Sequence, residues 1–333
     1  MQVGKILGVR KIVTGRLTKI SETLWQASAQ MVDVESAETL HSVTVNQRGT
    51  FEVLLDEGLT ALTAKLTGSA TPAAPVAPSA VPIVVAPAAT APVEGPRRAE
   101  GWREPITGLE FAWVPGGTYE MGCSSLDRDC ASDEKPARHV TLGGFWLGKT
   151  EVTQRQWTRI MGSNPSAFKN GDEFPVENVT WIDVQEYIRR LNGLSSRAHF
   201  RLPTEAEWEY ACRAGGKEQL YGTQTGSLSS DAANYGKSGI FATTRVASYP
   251  PNALGLYDMS GNVWQWVQDA YDSGAYARMP AVDPVNNLGG EFGRVERGGA
   301  WSVWARNARC SYRDHDAPYG KFNSLGFRLA MTP

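Results

Sequence analysis

At 333 residues, with a net charge of −2 and 41% hydrophobic residues, the chain is long enough for about two domains. The near-neutral balance carries no electrostatic footprint for nucleic acid or an anionic membrane, so neither is expected as a partner. No apolar run approaches the roughly 20 residues that span a bilayer.

The chain starts MQVGKILGVRKIVTG, without the apolar core and small-residue cleavage site of a signal peptide. A cytoplasmic location is the plain expectation. If the chain begins inside a longer protein, the cell envelope or surface takes its place. Residues 1–67 read as a small α/β module. Lys11–Leu17 and Thr39–Val45 carry strand patterns, and so does Leu24–Val34 between them. Phe51, Leu54, Leu55, Leu59, Leu62 and Leu66 then recur at helical spacing. The runs LGVRKIVTGRL and AQMVDVESAETL resemble the second half of the envelope-associated domains of TolB-like and curli-secretion-like lipoproteins. That resemblance implies a domain whose first half precedes this sequence.

Residues 68–104 are a linker, Pro- and Ala-rich through GSATPAAPVAPSAVPIVVAPAATAPVEGPRR. Proline fixes φ and has no N–H to donate, so the segment favours extended polyproline II.

Residues 105–333 form the main domain. FAWVPGGTYEMG predicts a hairpin with Pro-Gly-Gly at its turn, and Arg138–Leu147 a further strand. Three helix starts follow, at Thr153, Thr180 and Thr204. Each has a carboxylate or amide three residues on, with full capping boxes at the first and third. The helices are expected to end near Met161, Leu191 and Arg213. Past Gly215, turns and short strands dominate. The stretch Arg294–Arg328 mixes Trp, Tyr, Phe, Arg, Asp, His, Asn and Ser with neither helical nor strand period, which argues for loops. Such mixtures are what binding surfaces use.

Four cysteines permit two disulfides, though reduced, buried thiols are equally compatible with the count. No CxxC and no paired His at ligand spacing points to a metal site. No strand–GxSxG–helix appears, and Glu205, Glu207 and Glu209 belong to the third capped helix.

Seven motifs stand in order: WVPGGTYEMG, DEKPARHVTLGGFWLGKTEVTQRQW, FPVENVTWIDVQEYIRRLN, RLPTEAEWEYACRAG, NALGLYDMSGNVWQW, RVERGGAW and LGFRLA. Together they resemble the formylglycine-generating enzyme (sulfatase-modifying factor) family over residues 108–331. The resemblance implies an α+β fold of the C-type-lectin type. It also implies a disulfide between Cys212 and Cys310, with Cys123 and Cys130 left as a second pair. Catalytic members bind copper(I) through two cysteines, and the matching interval here, Ala300–Arg309, holds no Cys. No copper and no oxidase activity are therefore expected, because soft thiolates are the required ligands. The family's calcium site implies donors at Asp258, Gly261, Val263 and Gln265, with Gln265 where a carboxylate is common. A second family site near Asn234 has Ser238 where a carboxylate is needed.

The last segment is also similar to the variable proteins of diversity-generating retroelements, in which Asn codons are randomised at adenines. Ser302, Val303, Tyr312, Asp314, His315 and Asp316 are reachable from an Asn codon. So are Tyr319, Gly320, Phe322, Asn323 and Ser324, whereas Trp304 and Lys321 are not. These residues, with Trp304, form the expected binding face for a protein or cell-surface ligand. Trp301 and Phe327 are assigned to the core beneath it. Two other functions are kept open: a non-cysteine enzyme or accessory protein of the same family, and a cell-envelope structural module.

Overall fold

A computed structural model describes residues 101–195, 198–287 and 293–332 in full, and the backbone of three earlier strands. The chain forms two compact units, Met1–Ala89 and Thr90–Pro333. In the first, β1 (Lys11–Ser21), β2 (Leu24–Asp33) and β3 (Thr39–Arg48) make an antiparallel sheet in the order β1-β2-β3. The helix expected over Phe51–Leu66 and the Pro/Ala-rich stretch lie outside the described residues.

The second unit opens with β4 (Trp102–Arg103), β5 (Glu110–Val114), β6 (Gly117–Met121), β7 (Arg138–Leu142) and β8 (Phe145–Gly148). Then come α1 (Gln154–Met161), α2 (Trp181–Leu194), β9 (Phe200–Arg201) and α3 (Glu205–Cys212). After a long irregular stretch follow β10 (Trp264–Ala270), β11 (Arg294–Arg297), β12 (Arg313–Asp316), β13 (Leu325–Phe327) and β14 (Ala330–Met331). The strands build a five-stranded sheet ordered β4-β5-β8-β14-β9, a four-stranded sheet ordered β12-β11-β10-β13, and the β6-β7 pair.

The Pro-Gly-Gly run does not turn a hairpin. β5 pairs with β8 (Phe111↔Gly148 to Val114↔Phe145) and β6 with β7 (Gly117↔Leu142 to Met121↔Arg138). Two antiparallel legs bend together from one sheet into the other, so Gly143-Gly144 also splits the single strand expected over Arg138–Leu147. A Cβ at Gly116 would lie 2.6 Å from the Leu142 carbonyl, so the close crossing needs glycine there.

All three threonine caps form as expected. Each hydroxyl accepts the backbone N–H three residues on, and that residue's side chain accepts the threonine N–H in return. The second box is complete too, because Asp183 reaches the Thr180 N–H at 3.1 Å. Helix α1 stops at Gly162, in the left-handed region at φ 86°. Helix α2 runs to Leu194, three residues beyond expectation.

One hydrophobic cluster gathers Trp208, Tyr210, Met259, Val267 and Val295 between α3 and one side of the four-stranded sheet. A second gathers Trp157, Tyr187, Trp266, Phe327 and Trp146 on the other side, against α1 and α2. The four-stranded sheet is thus covered on both sides, and its β12 edge carries Asp314, His315 and Asp316 of the expected binding segment.

Candidate ligand-binding face

The stretch from Arg294 is more regular than its sequence period implies, since it contributes β11, β12 and β13. Strand alternation is masked because several inward positions are charged. Arg297 is fully buried. Its guanidinium donates to Glu209 Oε2 at 2.6 Å and to the carbonyls of Cys310, Ser311 and Tyr312 at 2.7–2.8 Å. Arg309 forks onto both oxygens of Glu134, each at 2.8 Å, and also donates to Asp127. Arg313 forks onto Glu205, at 2.6 and 3.0 Å. Carboxylates and carbonyls together satisfy these desolvated cations, which makes each arginine a rivet rather than a surface charge. Glu205 and Glu209 lie on α3, whose eight residues are all buried, so their role is structural.

The disulfide Cys212–Cys310 ties the same segment to α3, and Cys123–Cys130 closes the loop beside it. All four cysteines of the chain are therefore paired. Gly298 and Gly299, at φ 97° and 72°, let the chain leave β11 against Trp208 and Ala308.

Above this frame the predicted residues come to the surface. Trp304 is 64% exposed, Tyr319 75% and Phe322 47%. Ser302 and Asn323 are exposed as well. Val303, Tyr312, Asp314, His315, Asp316, Gly320 and Ser324 are half-buried. Main-chain bonds hold the outer part: Asn178 N–H donates to the Phe322 carbonyl at 2.9 Å, and Trp264 N–H to the Ser324 carbonyl at 2.7 Å. The His315 ring stacks on Tyr271 at 3.7 Å, while Tyr312 leans on Trp264 at 6.0 Å. Burial and the charge of Asp314 push the Tyr312 phenol upward.

Phe327 is fully buried, as expected. Trp301 packs against the second hydrophobic cluster but is not enclosed by it. It is half-buried, meets Phe168 edge-on at 5.5 Å and donates from Nε1 to the Asn323 carbonyl at 3.2 Å. Its indole N–H needs an acceptor, and the nearest one lies on the outer segment.

Sequence reasoning missed a neighbouring loop. Gly236 N–H donates to the Val303 carbonyl at 2.8 Å, so the loop from Asn234 to Ala242 abuts the face. Asn234 closes this loop, donating to the Ala242 carbonyl and accepting from Ser238 Oγ. Its tip displays Phe241, 74% exposed. The signal was the apolar pair Ile240-Phe241 in an otherwise polar, Gly-rich run.

Of the expected calcium donors, Gln265 is already engaged by the protein's own groups. Gln265 Oε1 already accepts from Trp208 Nε1 at 2.8 Å and Arg328 Nε at 2.6 Å. Gln265 Nε2 donates to the Asp258 carbonyl at 2.9 Å. The positive charge at this turn is Arg328, which also donates to the carbonyls of Gly148, Tyr257 and Asp258. Asp258 instead accepts from Ala247 N–H, and burial pushes its carboxyl up to about 6. Gly261 and Val263 frame the same turn: the Gly261 N–H donates to the Gly298 carbonyl, and the Val263 N–H to Glu151. Gln265 thus has no oxygen to offer calcium, which favours six to eight hard ligands.

Residues 102–333 match the family described as the sulfatase-modifying factor enzyme 1-like domain. The chain belongs to this family. Serine/threonine-protein kinase Pkn1 of Chlamydia trachomatis is 33% identical over 248 residues, which is 66% of this chain and 38% of that protein. The chain therefore spans well under half the length of that curated relative. Formylglycine-generating enzyme of Mus musculus is 27% identical over 286 residues, covering 68% of this chain and 76% of the enzyme. Among solved structures, Treponema denticola variable protein 1 is similar at 27% identity and a TM-score of 0.62. That match covers 70% of this chain and 99% of that one. This sulfatase-modifying-factor-like domain thus shares the mixed α+β, C-type-lectin-type fold of its relatives. Among the described residues, no helix is long and apolar enough to cross a membrane.

Proposed function

We propose that this chain is a ligand-binding protein whose exposed segment, residues 302–324, grips a protein or cell-surface partner. The observation that carries this is the contrast within one segment. Trp304, Tyr319 and Phe322 stand exposed, while Arg297, Arg309, Arg313 and the Cys212–Cys310 disulfide hold the backbone beneath them. Rigid aromatic side chains on a fixed base lose little entropy on binding. The likeness to a variable protein over nearly its whole length supports the same function and its corollary, that the face is diversified by a retroelement. Copper oxidase chemistry is not part of it. Ala300–Arg309 lacks cysteine, and the four sulfurs are committed to disulfides.

The test is a display library randomised at Ser302, Trp304, Tyr319, Phe322 and Asn323, selected against a purified soluble protein such as hen lysozyme. Folded binders that lose binding when those positions return to Ala are expected. A library in which randomisation unfolds the domain, or copper-dependent turnover of a sulfatase cysteine peptide by the parent chain, would contradict the proposed function.

A further inference from the structure

Strands β11 and β12 place an unusual set of charges under the face. In register, Glu296 stands directly opposite Asp314, and Arg294 opposite Asp316. Alternation puts Glu296, Asp314 and Asp316 on the same side of the sheet, with Tyr312 just before them on that side. Glu296 is only 6% exposed, and its Oε2 has no hydrogen-bond partner. Asp314 and Asp316 are half-buried on the edge strand, each accepting one backbone N–H, from His315 and Ala317, through Oδ1 and keeping Oδ2 for an incoming group.

The other buried acids of the riveted frame have cations: Glu205 has Arg313, Glu209 has Arg213 and Arg297, and Glu134 has Arg309. Glu296 has none. Its neighbour Arg294 turns away, with its guanidinium 4.1 Å from the centre of the Trp181 ring and bonded to the Gln268 carbonyl. Burial first, then the charges of Asp314 and Asp316, push the Glu296 carboxyl well above the usual range. Asp133 adds further negative charge near Asp314, and His315 a nearby imidazole. An unpaired buried carboxylate costs more stability than the neutral amide of Gln or an apolar Leu would. Its placement is explained if something with a positive charge docks on it.

We infer that Glu296, Asp314 and Asp316 receive the guanidinium of a partner protein's arginine, which enters across the exposed edge of β12 beside the Tyr312 ring. This rests on the proposed binding function and gives its ligand a chemistry. A single metal ion fits less well. Among the described residues, the groups of three such donors within 4.8 Å of one another comprise only Asp127, Cys130 and Glu134, of which Cys130 is already in a disulfide. A guanidinium is wide and planar with five donors, so it spans separated carboxylates and lies flat on an aromatic ring.

Three peptides test this against the full chain: acetyl-Gly-Arg-Gly-amide, its citrulline counterpart and its Glu counterpart, each titrated at millimolar concentration. Carboxyl carbon NMR shifts of Glu296 and Asp314 report contact. The Arg peptide is expected to move both signals, and the neutral and acidic peptides to move neither. Glu296→Gln should weaken the Arg peptide by about tenfold or more, the loss of one charge-assisted bond. If Glu296→Gln does not fold, Asp314→Asn on the edge strand carries the same expectation. Equal binding of the citrulline peptide, or undiminished binding by the folded variants, overturns the inference. An outcome in which a selected partner is lost on Trp304→Ala/Tyr319→Ala/Phe322→Ala but unaffected by Glu296→Gln sinks this inference alone. A partner indifferent to both variants sinks the binding function as well.

Discussion

The buried arginines predict a measurable dependence of the binding segment on Arg297. In Arg297→Met the stem packing is retained, while four hydrogen bonds vanish: one to Glu209 and three to the carbonyls of Cys310, Ser311 and Tyr312. Removing one partner of a buried ion pair costs about 3–5 kcal/mol. Glu209 keeps Arg213 at 2.9 Å, which places the expectation near the lower bound. That loss is large against a typical total of about 5–15 kcal/mol. At about 2–4 °C per kcal/mol for a domain of this size, the midpoint should fall by at least about 6 °C. Urea unfolding followed by tryptophan fluorescence gives the free energy, and limited proteolysis of residues 302–312 gives the local effect. A loss under about 1 kcal/mol, with no new cleavage, would refute the claim that Arg297 anchors this segment.

The disulfides should differ in weight. Removing Cys212–Cys310, whose partners lie 98 residues apart, is expected to cost about 4 kcal/mol or more on the chain-entropy model. Removing Cys123–Cys130, seven apart, should cost clearly less, and denaturation of the two double alanine variants decides it. The half-buried Asp258 carboxyl, pushed up to about 6, gives a pH signature. Between about pH 4 and 6 the folded form holds a proton that the unfolded chain has released, so this group's contribution to stability falls as pH rises through that window. Asp258→Asn should remove that slope, and identical slopes for the two proteins across pH 4–7 would show the group does not titrate as argued. Because Gln265 is already bonded through both amide atoms, EDTA or added calcium is expected to leave the melting temperature within about 1 °C. A calcium-dependent rise of several degrees would show that the turn opens to the ion. Trp304→Ala/Tyr319→Ala/Phe322→Ala should change stability by no more than about 0.5 kcal/mol per site yet cost a bound partner about 2 kcal/mol or more.

Local chemistry was legible in the sequence, and burial of charge was not. The threonine caps at Thr153, Thr180 and Thr204 could be read directly because a cap is decided within four residues. The C-terminal strands could not. Arg297 and Arg313 point inward, so apolar alternation never appears, and their partners sit on α3 about 90–110 residues away in sequence. Helix α3 hides itself in the same way, with three glutamates among eight buried residues. The Pro-Gly-Gly run signals a bend, but whether it closes a hairpin or carries two legs around a corner depends on where β7 and β8 lie. The exposed residues of the face were readable because two motif segments, Gly298–Ala300 and Leu325–Phe327, both buried, bracket them. Phe241 and Glu296 were not, since each reaches the face from outside the bracket.

Hydrogen exchange on a complex with a selected protein partner tests the central claim most directly. Protection is expected at amides within residues 302–304 and 314–324, with the loop bearing Phe241 protected alongside. Protection confined to α1, α2 or the Asp258 turn, with residues 302–324 exchanging as in the free chain, would contradict it.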